Sequence, residues 1–193
     1  MLLYLANSKR PVDIDDNFKK GLTFLDMWNI EQGPPVVTIG AWCLMPNHFH
    51  ILMKEIRVGG ISTFMRTFST AYSMYFNARY KRKGRLMQGS YQLQHIDNDR
   101  HLQYLFSYIH LNPIKLIEGE SAWKLEGIRR IENAKEFLSC YPYSSLLDYM
   151  NSNRRPENKI LRAGSFPWSF ESVRSMEKEL LEWLSLRGEN QKG

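Results

Sequence analysis

The chain has 193 residues, of which 43% are hydrophobic and 24% are charged, a composition typical of one globular domain or one domain with an appendage. Its 26 Lys and Arg residues against 20 Asp and Glu give a net charge of +6, which favours an anionic partner such as nucleic acid. Two cysteines without a C-x-x-C pair indicate neither a disulfide framework nor a zinc site, and no apolar run is long enough to span a membrane. We therefore expect a reduced, cytoplasmic protein.

The first fifty residues predict two helices followed by a β-hairpin. Residues 2–6 have the pattern of a helix end, and residues 16–29 carry apolar positions at helical spacing. The β-branched and aromatic residues of 36–44 predict a strand. Pro46-Asn47 is typical of the turn that joins it to a second strand, which we expect to begin at His48.

Two histidines lie on one face of this second predicted strand. Side chains alternate across a strand, so His48 and His50 point to one side while Phe49 points to the other. Paired imidazoles are frequent metal ligands, and the pattern favours a metal site. The alternative is an ordinary hairpin that carries two histidines, because H-x-H is a short motif. A third ligand and a reacting group must come from elsewhere in the chain.

Gly59-Gly60 precedes the strongest predicted helix. Its apolar side chains recur at spacings of three and four residues, with Ser62 as the expected N-cap and Gly84 as the expected end. The period favours a helix packed on the sheet over an aromatic binding platform. The positions in this stripe are Ile61, Phe64, Met65, Phe68, Ala71, Tyr72, Tyr75 and Phe76.

Five basic residues occur within seven positions at the end of this helix. A basic cluster with an aromatic residue inside it suits the phosphate backbone of a nucleic acid, and we predict nucleic-acid binding there. The alternative is a solvated helix end whose cations interact favourably with the helix dipole. The five are Arg79, Lys81, Arg82, Lys83 and Arg85, and we refer to them as the basic run.

A polar stripe marks the next predicted helix. Residues 91–96 alternate and predict a strand, and residues 100–112 predict a helix that Pro113 stops. Residues four apart lie one turn apart on the same side of a helix, so two of the polar side chains can face one site. The stripe consists of His101, Tyr104, Tyr108 and Asn112.

The end of the chain predicts an appendage. Residues 151–159 are polar and interrupted by proline, and we interpret them as a linker. Residues 169–186 have the apolar period of an amphipathic helix that packs on the fold. These boundaries predict a catalytic domain over 1–150 and an appendage over 151–193.

Two motifs carry a resemblance to a known family. They are Cys43-Leu44-Met45-Pro46-Asn47-His48-Phe49-His50-Ile51-Leu52 and Tyr108-Ile109-His110-Leu111-Asn112-Pro113, with weaker support from 71–77, from 84–89 and from Tyr143-Ser144-Ser145. In order and separation these motifs resemble the HUH single-strand DNA transposases with one catalytic tyrosine, specifically the REP-associated tyrosine transposases. The resemblance covers residues 36–150.

The resemblance implies a mechanism as well as a fold. It implies that His48, His50 and Asn112 hold a divalent metal and that Tyr108 is the nucleophile. The implied fold is α+β, with an antiparallel sheet covered by helices, ferredoxin-like or RRM-like as in HUH endonucleases. The implied activity is metal-dependent cleavage and strand transfer of single-stranded, hairpin-containing DNA through a 5′-phosphotyrosine. Two imidazoles and one amide oxygen suit Mg²⁺ or Mn²⁺ without choosing between them.

The sequence departs from the family pattern in two places. Family members usually begin with a strand, whereas Met1 opens inside the first predicted helix, so we expect the sheet to lack that strand. The stretch after Gly89 usually carries basic residues but here reads Ser90-Tyr91-Gln92, which we expect to weaken contact with DNA.

Two alternative functions stay open. One is a rolling-circle replication initiator or relaxase-type nuclease, because Tyr104 and Tyr108 are four residues apart as a two-tyrosine enzyme needs. The absence of a helicase or ATPase motif counts against a large relaxase. The other is a non-catalytic, domesticated DNA-binding relative. We predict Tyr104 and His101 as accessory residues, and leave open a homodimer in which Tyr108 acts in its partner's site.

Overall fold

The computed structural model describes residues 1–9, 14–119, 128, 131–150 and 155–166. These residues have an α+β fold with a two-stranded antiparallel sheet and several helices, as predicted. They form two compact units, each built from discontinuous parts of the chain. The first unit contains the described residues of 1–39, 53–95 and 159–162, and the second those of 40–52, 96–158 and 163–193.

A β-hairpin contributes to both units. Strand β1 covers Val37–Leu44 and strand β2 covers Phe49–Glu55, one residue later than its predicted start. The backbone N–H of Met45 donates to the carbonyl oxygen of His48 at 2.8 Å and closes the turn. The turn and the strand residues beside it, 40–52, belong to the second unit.

The described residues of the first unit form three α-helices, which are α1 (Leu2–Ala6), α2 (Ile14–Lys19) and α3 (Gly60–Arg79), and a 3-10 helix over Asp26–Asn29. Helix α1 packs against α3. The apolar side chains buried in this unit include Leu3, Leu5, Met27, Trp28, Val36, Val37, Ile39, Phe64, Met65 and Phe68. The periodicity of α3 therefore predicts its buried face correctly at its N-terminal half.

The start of α3 depends on two glycines. A Cβ atom on Gly60 would overlap the carbonyl oxygen of Val36, so only glycine fits there. Gly59 before it has φ +74°, a conformation that glycine adopts without steric cost. Gly59 is therefore the N-cap, and the prediction of Ser62 is wrong. The helix also ends at Arg79, ahead of the predicted end at Gly84.

Two other predicted elements are wrong. The helix predicted over 16–29 is cut short at Lys19, because Gly21 has φ +83° and leaves the helical conformation. The strand predicted over 91–96 does not form. Residues 91–95 are exposed, so the alternation of their side chains buries no face and has no sheet to join.

The described residues of the second unit form four α-helices, which are α4 (Asp99–Leu111), α5 (Lys115–Glu118), α6 (Ile131–Cys140) and α7 (Leu146–Met150), with a 3-10 turn over Asn112–Ile114. Its core joins the hairpin to α4, the 3-10 turn, α6 and α7. The core residues are Ala41, Cys43, Met45 and Leu52 of the hairpin, with Phe106, Ile109, Leu111, Ile114, Ala134, Leu138 and Leu146.

Pro113 does not end the helical path that α4 begins. It lies in the first turn of the 3-10 helix, where the N–H that proline lacks has no helical partner to lose. Helix α5 follows directly at Lys115. Helix α4 thus ends within one residue of its predicted end, but the backbone stays helical through the 3-10 turn and α5.

A short segment pairs with the edge of β1 inside the second unit. Residues 143–145 bond to 42–44 through backbone hydrogen bonds of 2.8 and 2.9 Å, as an isolated antiparallel bridge. Arg155 supports this segment: its guanidinium donates to both carboxylate oxygens of Asp148, at 2.6 and 3.0 Å, and to two carbonyl oxygens of the segment and its neighbour. The edge of β1 is thereby covered by a loop rather than by a full strand.

The predicted helix over 169–186 and residues 151–154 of the predicted linker lie outside the described residues. The division of the chain at residue 150 therefore stays a prediction. None of the described helices is long and apolar enough to cross a membrane.

Candidate active site

The hairpin brings the two predicted histidines together. The rings of His48 and His50 lie with their centroids 5.0 Å apart, edge to face, as expected for alternate residues of one strand. Both side chains are half-buried. The tight turn before β2 fixes the position of the two histidines. The hydrogen bond from the backbone N–H of Met45 to the carbonyl oxygen of His48 holds the backbone of His48 in place.

The tautomer of His48 follows from its neighbour. The amide oxygen of Asn47 lies 2.7 Å from the Nδ1 atom of His48. An amide oxygen only accepts, so Nδ1 carries the proton and Nε2 keeps its lone pair. A metal-binding histidine is commonly oriented in this way by a partner on its other ring nitrogen. In this tautomer, Nε2 of His48 could bind a cation.

Helix α4 brings Tyr108 to the histidine pair. Its N-terminus is capped by Asn98, whose side chain accepts from the backbone N–H of His101 at 2.8 Å. Its apolar face packs in the core of the second unit through Phe106 and Ile109. The ring of Tyr108 then lies edge to face with His50, at 5.5 Å between centroids.

The continuation of the helix past Pro113 adds a cation that the sequence did not indicate. The ammonium group of Lys115 donates to the hydroxyl oxygen of Tyr108 at 3.3 Å and lies 5.4 Å from the centroid of the same ring. Two helical turns separate these residues. The spacing would have indicated the contact only if the helix were expected to continue through the proline.

Asn112 lies one turn after Tyr108, in helical conformation at the end of α4. Its side chain is fully buried, and in the part of the chain that the structure describes neither amide atom has a hydrogen-bond partner. An unsatisfied buried amide is costly, so a ligand for it is expected. An amide oxygen is a suitable ligand for Mg²⁺ or Mn²⁺. Across the described ranges, no group of three His, Cys, Asp or Glu side chains could hold a metal ion.

Residues 34–112 match the family model of IS200-like transposases. The matched stretch contains the hairpin with both histidines and α4 with Tyr108 and Asn112. Over this stretch the chain is similar to the IS200-like transposases. No curated protein and no solved structure matches the chain. The match supports transposase-type cleavage of DNA in general, and it does not distinguish the REP-associated subtype.

A second tyrosine, Tyr104, lies next to Tyr108 within the matched residues 34–112. The ring of Tyr104 stacks on that of Tyr108, with centroids 6.1 Å apart and an interplanar angle of 22°. Burial raises the pKa of Tyr104, and the neighbouring Tyr108 raises it further. His101, the other predicted accessory residue, is half-buried one turn earlier on α4.

A buried hydrogen bond connects His110, within the matched residues 34–112, to Ser145, which lies outside them. The Nε2 atom of His110 lies 2.8 Å from Oγ of Ser145, which also bonds to the backbone of Trp42 in β1 at 2.9 and 3.1 Å. His110 is fully buried, and this desolvation lowers its pKa to about 3, so the ring is neutral at ordinary pH. Both residues lie in motifs that carried the family resemblance, and the structure joins the two motifs.

The basic run belongs to the first compact unit. All five of its side chains are exposed. The guanidinium carbon of Arg82 lies 5.6 Å from the centroid of the Phe76 ring on α3. Exposure leaves these cations available to a phosphate backbone, and their role in binding stays a prediction.

Proposed function

We propose that this chain cleaves and rejoins single-stranded DNA through a 5′-phosphotyrosine on Tyr108. The observation that carries the proposal is the contact between the Tyr108 ring and His50, at 5.5 Å between centroids, beside the second imidazole of His48. A phenolic nucleophile and two metal-ligand candidates on neighbouring elements are what phosphodiester cleavage by a tyrosine requires.

His48, His50 and Asn112 would hold the divalent cation, Mg²⁺ or Mn²⁺. The residues fit this role, because the Nε2 lone pair of His48 is kept and the buried amide of Asn112 lacks a partner among the described residues. When bound, the cation supplies Lewis-acid stabilisation of charge on the non-bridging phosphate oxygens. Three protein ligands leave coordination positions for substrate oxygens.

Cleavage would be a displacement at phosphorus by Tyr108. The bond from the phenolic oxygen to phosphorus forms while the bond from phosphorus to the 3′-oxygen breaks. The phenol proton passes to solvent, and the departing 3′-oxygen takes up a proton. The ammonium group of Lys115, 3.3 Å from the phenolic oxygen, stabilises the negative charge that develops there. Because the phosphotyrosine keeps the bond energy, a second 3′-hydroxyl can reverse the step and join strands.

We propose single-stranded DNA with a hairpin as the substrate and the REP-associated group as the subtype. Support for the subtype comes from two of the motifs that resemble this group, 108–113 and 143–145, which the hydrogen bond between His110 and Ser145 joins inside the core. The basic run would contact the DNA backbone. We place this reaction in the cytoplasm.

A two-tyrosine enzyme of the rolling-circle or relaxase type is the second candidate, because Tyr104 stacks on Tyr108. Two observations favour Tyr108 as the nucleophile. Burial raises the pKa of Tyr104 and so disfavours its phenolate. Lys115 bonds to the hydroxyl of Tyr108. Tyr104 then orients DNA or packs at the edge of the site.

The test is a covalent adduct with labelled single-stranded DNA that contains a hairpin, formed with Mg²⁺ or Mn²⁺ and detected on a denaturing gel. We expect the wild-type chain to form the adduct, Tyr108→Phe to abolish it and Tyr104→Phe only to weaken it. Plain duplex DNA of the same sequence is the control substrate. Peptide mapping that finds DNA on Tyr104 would favour the two-tyrosine enzyme, and DNA binding without any adduct would favour the non-catalytic relative.

A further inference from the structure

Five aromatic rings run along α3 and just past its end, one at every fourth residue. Neighbouring rings lie 6.1, 6.2, 6.1 and 4.5 Å apart between centroids, in chain order. The first two rings are buried in the first unit, whereas the last is 61% exposed. The rings are those of Phe64, Phe68, Tyr72, Phe76 and Tyr80. This row of five rings therefore belongs to the core at its N-terminal end and to the surface at its C-terminal end. The buried rings support the exposed ones.

The chain reverses directly after Tyr80 through an unusual residue. The backbone N–H of Arg82 donates to the carbonyl of Asn77 at 2.9 Å, and that of Lys81 to the carbonyl of Ala78 at 3.4 Å, the hydrogen-bond pattern of a Schellman motif. Lys81 occupies the central position with φ +51°, where glycine is the usual residue. A lysine at such a position makes the fold less stable than a glycine would. This cost indicates that the charge of Lys81 has a function.

This reversal brings a cation onto the aromatic rings. The guanidinium of Arg82 lies 5.6 Å from the centroid of Phe76, and Tyr80 contacts the same ring at 4.5 Å. Within the described ranges, none of the five cations of the basic run forms an ion pair with a carboxylate. An exposed ring among unpaired cations is the arrangement that binds an unpaired base together with its phosphate.

We propose that Tyr80 stacks on an unpaired base of single-stranded DNA while Lys81 and Arg82 contact the flanking phosphates. The proposal rests on the proposed function for the identity of the nucleic acid. It adds a base-binding site to the phosphate contacts expected of the basic run. Stacking is tolerant of sequence because every base presents an aromatic face, so the site would hold a strand without selecting its sequence.

The test compares two labelled strands of equal length by fluorescence anisotropy: an oligothymidylate and an abasic strand with the same backbone. The Tyr108→Phe chain is used in EDTA, so that no cleavage occurs. We expect Tyr80→Ala to bind the oligothymidylate about tenfold more weakly while its affinity for the abasic strand is unchanged. Tyr80→Phe should retain the preference, since the ring is kept. Tyr143→Ala is the matched control, because this tyrosine is 59% exposed and lies outside the basic run.

Lys81→Gly separates binding from folding. Glycine fits φ +51° better than lysine does, so we expect an equal or higher melting temperature together with weaker binding of both strands. The stacking site is refuted if Tyr80→Ala leaves oligothymidylate affinity unchanged or weakens both strands equally. A lower melting temperature for Lys81→Gly would overturn the use assigned to this lysine. A wild-type chain that forms no covalent adduct but keeps a Tyr80-dependent preference would refute the proposed function and support the stacking site.

Discussion

His48 is oriented by Asn47, whose amide oxygen lies 2.7 Å from its Nδ1 atom. Partners of this kind typically contribute about 10- to 100-fold to metal affinity. We expect Asn47→Ala to raise the Mn²⁺ concentration needed for half-maximal adduct formation by about tenfold. His48→Ala and His50→Ala should abolish cleavage and leave most of the affinity for DNA. Metal titrations on denaturing gels and anisotropy measure the two effects separately.

Asn158→Ala is a suitable control for the Asn47 substitution, because its side chain is exposed. A double variant of His48 and His50 that cleaves as well as wild type would show that the metal lies elsewhere. Asn158→Ala should not change the Mn²⁺ concentration needed for half-maximal adduct formation. If it raises this concentration as much as Asn47→Ala does, Asn47 does not act by orienting His48.

Lys115 gives a second prediction for single residues, since its ammonium bonds to the hydroxyl of Tyr108 at 3.3 Å. A hydrogen bond that involves a charged group contributes about 1.5–3 kcal/mol, so Lys115→Gln should slow adduct formation by about 10- to 100-fold. Lys115→Arg keeps the charge and should restore much of the rate. Lys135→Gln, which removes only a surface ion pair with Glu132, should leave the rate unchanged. A Lys115→Gln chain as fast as wild type contradicts a role for this cation.

These residues show how far a sequence specifies a site. The closeness of His48 and His50 could be predicted because strand alternation is a fixed period, whereas the roles of Tyr108 and Asn112 stay predictions. The contact between Lys115 and Tyr108 could not be predicted. It depends on a backbone that stays helical past Pro113, and proline usually ends helices. The Asn47 contact depends on side-chain rotamers in the turn, which residue types alone do not determine.

Helix α4 is connected to β1 by a buried pair rather than by apolar packing alone. His110 and Ser145 share a hydrogen bond of 2.8 Å, and Ser145 also bonds to the backbone of Trp42. Tyr149 adds a bond of 2.5 Å from its hydroxyl to the carbonyl of Gly40 in the same strand. Because α4 carries Tyr108 and the hairpin carries the histidines, this network fixes the position of one element against the other.

The neutral state of His110 makes the stability of this element pH-dependent. Its pKa in the folded chain is about 3 against an ordinary value of 6.5, so between these values the unfolded chain binds more protons. The contribution of His110 to stability is therefore complete above about pH 6.5 and is lost as the pH falls, by at most about 1.4 kcal/mol per pH unit. We expect His110→Gln to reduce the slope of the unfolding free energy between pH 4 and pH 6.

Ser145→Ala tests the same connection at neutral pH. Loss of a buried hydrogen-bonding partner should cost about 1–3 kcal/mol in urea unfolding. Ser139→Ala is the matched control, since its hydroxyl is exposed and bonds only within α6, and it should change stability by less than about 0.5 kcal/mol. Equal effects of the two substitutions, or an unchanged pH slope in His110→Gln, would contradict the connecting role.

Elements with a buried apolar face were the predictable ones. The periods of α3 and α4 and the composition of β1 indicated helix and strand correctly, because burial imposes those periods. The strand predicted over 91–96 fails because alternation without a pairing partner is compatible with irregular chain. The bridge of 143–145 along β1 could not be foreseen, since it joins segments about a hundred residues apart through backbone bonds.

The whole molecule carries its excess of positive charge unevenly. The net charge of +6 does not locate a binding surface, whereas five exposed cations stand between residues 79 and 85 of the first unit. Composition thus predicted an anionic partner, and the family match supports DNA as that partner. The affinity for DNA can depend on the position of these five cations or only on the total charge of the chain.

Two charge-matched variants separate these possibilities. Lys81→Gln with Lys83→Gln removes two cations from the basic run, and Lys19→Gln with Lys54→Gln removes two exposed cations elsewhere in the same unit. Each phosphate contact on single-stranded DNA adds about −0.7 to the slope of log affinity against log salt concentration. We expect the first variant to lose about 1.4 from the magnitude of that slope and the second to lose little, as measured by anisotropy with a hairpin-containing strand. Equal losses would mean that net charge alone attracts the DNA, and the basic run would then have no special part in binding.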